Sequence, residues 1–526
     1  MTMPTTNTLV RSLAMAVMSQ LAMLGSTAIA QQAVAGAQVP PEPTLDIRTY
    51  LIDGVNPLSN EETETLLRSY TGEKARLSQI EQAALALEKV LRSKGYIFHR
   101  VFVPVQKPAN GAVKLQIIRF TIDKVEVSGN ENFSTENIRR SLPTLLEGSV
   151  PDIHEVGQDL TAANTNPAKQ VGVTFKESAK ADAVDAYLKV KDSDPLTYFM
   201  SYTGNLPAES KNPDDSVSRL NFGIQHANLF DRDHVASLTY TTDPTKPDKV
   251  TLFGLYYQFP IYGRGLNLSA YYSSSDVNSG LGSLGLPDVT GKGQFVGARV
   301  TYSVPRSGPL LQTVGLALDD RHFDQGLPGT AVGSFPLSAK YTFRRDENWG
   351  SVGGNLEYAG NTGGGTDNAA ANYSAQNSDY DWQAWRLGLD GSYRAPRWTY
   401  VGRLRAQFSN SKLIAGEKLS LGGAGSVRGF TDAAVRGDNG YFIGLEATGP
   451  EMFLPQMRPL LFVDGGQVQS NDGVTANEFL SSVGAGLRWS YGKWELSGDL
   501  AFVTQSASAD RLKDAKRLHL SAFYRF

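Results

Sequence analysis

The stretch LGGAGSVRGFTDAAVRGDNGY, Leu421 to Tyr441, is too rich in glycine for a helix and too long for a hairpin turn. The chain on both sides alternates apolar and polar residues, the period of a half-buried strand. A long loop set among regular strands is usually functional or disordered. This one carries a compact kernel, Val427-Arg428-Gly429-Phe430, beside glycines that let backbone pack closely. The stretch reads as a loop that folds back into a membrane β-barrel and sets its state.

Composition permits that reading. At 526 residues the chain exceeds one small domain. Its mean hydropathy of −0.27 would suit a soluble protein. No stretch after the N-terminus approaches the ~20 apolar residues that a spanning helix requires. A helical membrane protein is thereby excluded. A β-barrel is not, because its strands hide their hydrophobicity by alternation. The 52 glycines, 22 tyrosines and 23 phenylalanines suit tight turns and aromatic girdles. A net charge of −3 offers no basic surface for nucleic acid. The absence of cysteine says little about compartment.

Residues 1–30 read as a secretory signal peptide. Arg11 supplies the positive charge, Leu13–Leu24 the apolar segment and Ala28-Ile29-Ala30 the small-residue cleavage pattern. Residues 31–44, rich in Ala, Gln and Pro, read as a linker. Two successive β-α-α-β-β units are expected next, over 45–118 and 119–194, an internal repeat of the kind that makes binding arrays. In the first, Leu45–Ile52 reads as a strand and Ser59 as a helix cap. Ile80, Ala83, Ala84, Leu87, Val90 and Leu91 recur at helical spacing. In the second, Ser134 caps a short helix, Ile153–Ala163 forms another, and Asn164–Pro167 breaks the chain before two strands.

From Leu196 helical periodicity ends. Val296, Ala298, Val300, Tyr302 and Val304 oppose Gly297, Arg299, Thr301 and Ser303. Trp385, Leu387 and Leu389 oppose Arg386 and Asp390. Polar faces that carry arginines and small residues, opposite apolar faces that end in aromatics, suit lipid outside and a wet lumen inside. About sixteen such segments span 195–526. The predicted fold is therefore a 16-stranded antiparallel transmembrane barrel preceded by two α/β domains. The last strand ends on an aromatic at Phe526, which neither a soluble propeller nor a sandwich explains. The inward loop lies between the eleventh and twelfth strands, about residues 409–440.

Chemistry-bearing constellations are missing. There is no phosphate-binding loop. None of His99, His154, His226, His234, His322 and His519 has a metal-like neighbour at helical or strand spacing, and His154-Glu155 lacks the second histidine of a zinc-protease helix. No catalytic residue, metal or cofactor is expected, and the chain does not read as an enzyme.

Signal peptide, two β-α-α-β-β units, sixteen strands and the Val427–Phe430 kernel together resemble the two-partner secretion transporters, the haemolysin and filamentous haemagglutinin secretion-activation family of the outer-membrane assembly superfamily. The paired units resemble polypeptide-transport-associated (POTRA) domains. Phe462-Val463-Asp464-Gly465-Gly466 resembles the family's Phe-x-Asp-x-Gly strand motif, and Asn164–Pro167 with Val171 resembles the junction in the second POTRA domain. The resemblance implies a Gram-negative outer-membrane pore with its POTRA domains in the periplasm. It implies that Arg428 reaches through the lumen to Asp464. The residues agree. Leu461, Val463 and Gly465 share one parity of their strand, Phe462 and Asp464 the other. If the first set faces lipid, Asp464 points inward, where an arginine is a fitting bidentate partner. Taken singly, Arg428 is a solvated loop arginine and Asp464 one lumen carboxylate among many.

The implied partner is an unfolded exoprotein, whether adhesin, haemolysin or contact-dependent toxin, that docks on the POTRA domains and threads the barrel. Lipid and the barrel-insertion machinery of the outer membrane are the other partners, nucleic acid is not, and a monomer is expected. An assembly factor for other barrels shares the loop motif but would be expected to carry more POTRA domains or to have a different set of partners. A passive channel needs neither. Family members can carry an N-terminal plug helix. Residues 31–44 are too short and proline-rich for a helix plus linker, so the pore is expected either to be closed by the inward loop alone or to be leakier.

Overall fold

The computed structural model describes residues 44–526 apart from 208–215, 246, 248–250, 276–292, 307, 325–330 and 507–514. The expected signal peptide, and the linker up to residue 43, lie outside the described residues. The chain divides into two compact units. One is built from residues 44–131, 138–164 and 169–191. The other comprises Asn132–Asn137, Thr165–Ala168 and Asp192–Phe526.

The first unit opens with two short strands, Thr44–Ile47 and Thr49–Asp53, where one was expected. The break falls at Arg48, whose backbone N–H donates to Gly111 O at 2.7 Å. Helix Asn60–Leu67 starts in a capping box. The Glu62 N–H donates to Ser59 Oγ, and the Ser59 N–H donates back to the Glu62 carboxylate. A strand at Gly72–Arg76, which the sequence did not announce, pairs antiparallel with Thr44–Ile47. Its GEKAR sequence has little β propensity, so pairing rather than local preference makes it a strand. Helix Leu77–Ser93 then buries Ile80, Ala83, Ala84, Leu87 and Leu91 against Val113, Leu115 and Ile117. Those three lie on Ala112–Arg119, the central strand between Thr49–Asp53 and His99–Phe102.

In the following stretch Ala183–Asp192 is the central strand, flanked by Thr121–Ser128 and Lys169–Glu177. Helix Ile153–Ala163 is capped by Asp152, which accepts from the N–H groups of His154 and Glu155. On its buried side the Asp159 carboxylate accepts from the Thr144 N–H and hydroxyl at 2.9 and 2.6 Å. Burial holds the Asp159 carboxyl above the usual aspartate range, and the Thr144 bonds only partly offset it. Asn164 ends the helix. Its amide bridges both backbone groups of Val171, accepting from N–H at 2.6 Å and donating to O at 3.0 Å.

The second unit is a closed barrel of sixteen antiparallel strands. The first is Leu196–Pro207 and the last Lys516–Arg525, and they pair with each other to close it. The eighth is one strand in two pieces, Val332–Ser334 and Pro336–Glu347, interrupted at Phe335. Each expected strand is present. The fourteenth, among the longest, runs from Glu478 to Tyr491. Parity along the strands sorts lipid from lumen as the alternation requires: Leu461 and Val463 are 55% and 54% exposed, while Phe462 and Asp464 between and beside them are 3% and 0% exposed. Exposed aromatics gather at both rims. Tyr393, Tyr400, Tyr491, Trp494 and Phe526 lie at the end of the tight turns, and Trp385, Phe408 and Tyr441 at the opposite end.

Odd strands run away from the end where the barrel begins, so the loop after the eleventh strand starts at the far mouth. The connection 362–382 contains a short helix, Ala370–Ala375, that buries Tyr373. No apolar periodicity marks six residues of this kind; Tyr373 and Trp382 make the helix by packing together on Phe295, Phe323, Leu413 and Ile414. Within the same unit, Asn166 donates its amide to Ala227 O at 2.7 Å and to the Asp233 carboxylate.

Candidate functional site: a loop latched inside the barrel

The eleventh strand ends at Phe408 and the twelfth begins at Asn439. Between them the chain turns inward. Its two arms form a short antiparallel ribbon, Leu419–Leu421 with Val435–Gly437. The tip beyond the ribbon closes at Gly422, with φ +112°, whose missing side chain leaves room for Thr431 O. A Cβ there would stand 2.4 Å from that oxygen, so only glycine allows the closure.

The kernel lies at the tip and is fully enclosed. Val427 and Phe430 are buried with Leu421, Phe442, Val468, Leu480 and Val503, so the loop has an apolar seat on the barrel wall. Arg428 is 1% exposed. Its Nε donates to Asp464 Oδ2 at 2.7 Å and its Nη2 to Oδ1 at 3.0 Å, a bidentate fork. The Arg428 backbone N–H adds a third bond to the same carboxylate. Nη1 meets Asp499 at 3.1 Å and Glu446 at 2.9 Å. The Phe462 ring lies 3.5 Å beneath the guanidinium carbon, a cation–π contact from the residue two before Asp464.

Two further cations complete the cluster. Arg488 pairs with Asp499 and Arg403 with Glu446. Three guanidiniums thus face three carboxylates, which makes a desolvated group of charges tolerable. Gly429, at φ +98°, brings its N–H to His519 Nε2 at 2.9 Å. That nitrogen therefore accepts, and the proton of the neutral imidazole sits on Nδ1. Phe430 O accepts from the Asn205 amide at 3.2 Å, and Arg517 donates to Asn205. The tip is tied to strands from the twelfth through the sixteenth and on to the first.

Every residue singled out in the sequence comes together here: Val427, Arg428, Gly429, Phe430, Phe462 and Asp464. Asp499, Glu446 and His519 were not singled out. Their only signal was inward parity, as when Asp499 alternates with the outward Leu500 and Phe502, and parity does not say which lumen residues meet the loop. Glu417, on the first arm, was missed as well. It is wholly buried among Arg321, Arg386 and Ser334. Among the described residues no group of His, Cys, Asp or Glu is arranged to hold a metal ion.

A closed barrel with a lipid-facing exterior, and a loop fixed in its lumen by buried charge, defines a transmembrane β-barrel pore of the outer-membrane type. The chain belongs to the family of the haemolysin secretion/activation proteins ShlB/FhaC/HecB, whose model matches residues 189–489. A ShlB-type POTRA domain matches residues 45–119. The outer membrane transporter CdiB of Dickeya dadantii is 23% identical over 476 residues, 85% of this chain and 81% of its own. The heme/hemopexin transporter protein HuxB of Haemophilus influenzae is 21% identical over 459 residues, 81% of this chain and 77% of its own. The structure of CdiB from Escherichia coli superimposes with a TM-score of 0.73 at 17% identity, covering 100% of this chain and 99% of the other. The protein is an outer-membrane transporter that translocates a partner exoprotein, with POTRA structure on the periplasmic side.

Proposed function

We propose that this chain secretes one dedicated exoprotein, unfolded, through a barrel whose passage is governed by the Arg428–Asp464 latch. The carrying observation is the enclosure of Arg428 by Asp464, Asp499, Glu446 and Phe462 at the end of an otherwise glycine-rich loop. Loop and wall are joined by charge and by the apolar seat of Val427 and Phe430 rather than by backbone pairing, and such a contact can be released and remade. Lumen arginines and serines offer weak, replaceable contacts to a sliding chain.

Residues 45–118 and 119–194 act as two POTRA domains that receive the exoprotein in the periplasm after removal of a signal peptide at 1–30. Their edge strands, among them His99–Phe102 and Lys169–Glu177, each pair with one neighbouring strand among the described residues, which leaves an edge along which an extended segment can align. The exoprotein is an adhesin, haemolysin or contact-dependent toxin. The chain performs no hydrolysis and takes no cofactor; folding of the exoprotein outside makes the exit irreversible. It works as a monomer in outer-membrane lipid, placed there by the barrel-insertion machinery.

The test is a comparison of culture medium and outer-membrane fractions from source cells with and without the gene. Loss of one or two very large proteins from the medium, with the outer membrane unchanged, is the expected result. A broad fall in many outer-membrane barrels would make the chain an assembly factor instead.

A further inference from the structure

The loop is fastened to the barrel at two separate places, and the kernel accounts for only one. The second is Glu417, on the arm that enters the lumen. Its carboxylate oxygens accept from Arg321 Nη1 at 3.0 and 2.9 Å, from Arg386 Nη2 at 2.8 Å and from Ser334 Oγ at 2.7 Å. Its backbone carbonyl accepts from Gln407 Nε2 at 3.0 Å. Arg321 also pairs with Asp319 at 2.6 Å, and Arg386 with Glu357, which Lys340 approaches at 3.5 Å. Arg321, Arg386 and Lys340 thus balance Glu417, Asp319 and Glu357. This is a second neutral group of three cations and three carboxylates, on the seventh to tenth strands instead of the eleventh to fifteenth.

The base of the loop is wedged as well as charged. Leu413 and Ile414 are buried with Phe295, Phe323, Tyr373 and Trp382. The Phe323 ring lies so close to the backbone of Gly416 that a Cβ there would come within 2.0 Å of it. Between base and tip there is only the short ribbon, then Gly422 and Gly423, both at positive φ. Two rigid attachments joined by a glycine-bearing strip form a hinge: interactions at one end can break while the other end stays seated.

We propose that Glu417 is a positioning residue that anchors the base of the loop, so that release of Arg428 swings the tip about the ribbon while residues 409–417 stay on the wall. The space for the exiting chain then opens along the twelfth to sixteenth strands. This rests on the gating role given to Arg428 above. It adds that the gate is hinged rather than withdrawn whole.

The native chain has no cysteine, so single probes are clean. Full-length Val427→Cys and Ile414→Cys are placed in otherwise unchanged, Arg428→Ala and Glu417→Gln backgrounds. Intact cells are treated with a membrane-impermeant maleimide, and the heat-dependent gel shift of the folded barrel is checked for each. Both positions are buried and should be protected in the unchanged background. Arg428→Ala should raise labelling at position 427 by about tenfold or more and leave position 414 protected. Glu417→Gln should expose position 414 with 427 still protected. If Glu417→Gln fails to assemble, Arg386→Gln, which removes one of the two guanidiniums, is read in its place. Equal exposure of both positions by Arg428→Ala would mean the loop leaves as a unit, and the hinge is wrong. Continued protection of 414 once the Glu417 cluster is broken would show that it anchors nothing. Continued protection of 427 in Arg428→Ala would remove the gating role itself, and the hinge with it.

Discussion

Arg428 does work that no other side chain could do from that position. Its planar fork spans both oxygens of Asp464, a third nitrogen serves Asp499 and Glu446, and its face rests on Phe462. Lysine offers one point charge and no plane, so Arg428→Lys should keep most of the defect of Arg428→Ala. Removing one member of a buried ion pair typically costs about 3–5 kcal/mol, because the other charge is stranded. Arg428→Ala strands Asp464 and leaves three carboxylates facing two arginines. The loop should then detach, read as faster protease cleavage within residues 418–437 of the otherwise intact barrel. Asp464→Asn keeps the shape but loses the charge, and should give a smaller effect in the same direction. Gly429→Ala would force a side chain into φ +98° and to within 3.0 Å of Val503. It should loosen the tip by about 1–3 kcal/mol without touching any charge. Cleavage at the parent rate would count against that seat. At this scale the sequence was half legible. A compact kernel inside a glycine-rich loop, and a carboxylate on the inward parity of a strand, could be read directly. Asp499, Glu446 and Glu417 could not, because their meaning comes from which strands the loop crosses, and strand parity carries no such information.

The elements were read well where a period ran long and poorly where tertiary pairing decided. Helix Ile153–Ala163 was expected with the bounds observed. Strand Gly72–Arg76 and helix Ala370–Ala375 were not read at all, since neither shows apolar periodicity over its short length. Helix Ile153–Ala163 carries its own prediction. Asp159 is buried, and its carboxyl is held above the ordinary aspartate value by desolvation. The folded state therefore binds its proton more tightly than the unfolded state. The stability associated with that proton is full below the unfolded pKa of about 3.9 and is lost as pH rises through the higher folded value. Asp159→Asn keeps an acceptor for Thr144 and carries no charge. At pH 7 it should slow hydrogen exchange of this helix relative to the parent, and the advantage should vanish in acid. Faster exchange in the variant at pH 7 would mean the ionised carboxylate is an asset to the helix.

For the whole molecule, alternation alone places sixteen strands, because a membrane barrel must be apolar outside and polar inside along every strand. The pairing of the last strand with the first, and the closure it brings, follow from an even strand count, which returns both ends of the barrel to one side. What alternation does not give is the content of the lumen. There the chain lodges a loop in two neutral charge clusters beside the apolar contacts at tip and base, on separate arcs of the wall; apolar packing alone would have made a permanent plug. Replacing buried ion pairs by hydrophobic residues is often neutral or stabilising. Their presence here suits a contact that must open. Substitution of Arg428 and Asp464 together by Met and Leu, which leaves Arg403 and Arg488 facing Glu446 and Asp499, should accordingly leave a folded barrel with lower secretion of its exoprotein than the parent, because the loop would be seated without a release. Parental secretion from that variant would mean the charges have no part in opening.

Whether the Arg428–Asp464 pair holds the pore shut is read from the ion conductance of the purified full-length protein in planar bilayers, beside that of Arg428→Ala and Asp464→Asn. The parent should be closed for most of the record, and the variants should spend far more time in a large-conductance state, Arg428→Ala the more open of the two. A parent that conducts as freely as both variants would show that the loop does not close the pore and that the Arg428–Asp464 pair is no latch.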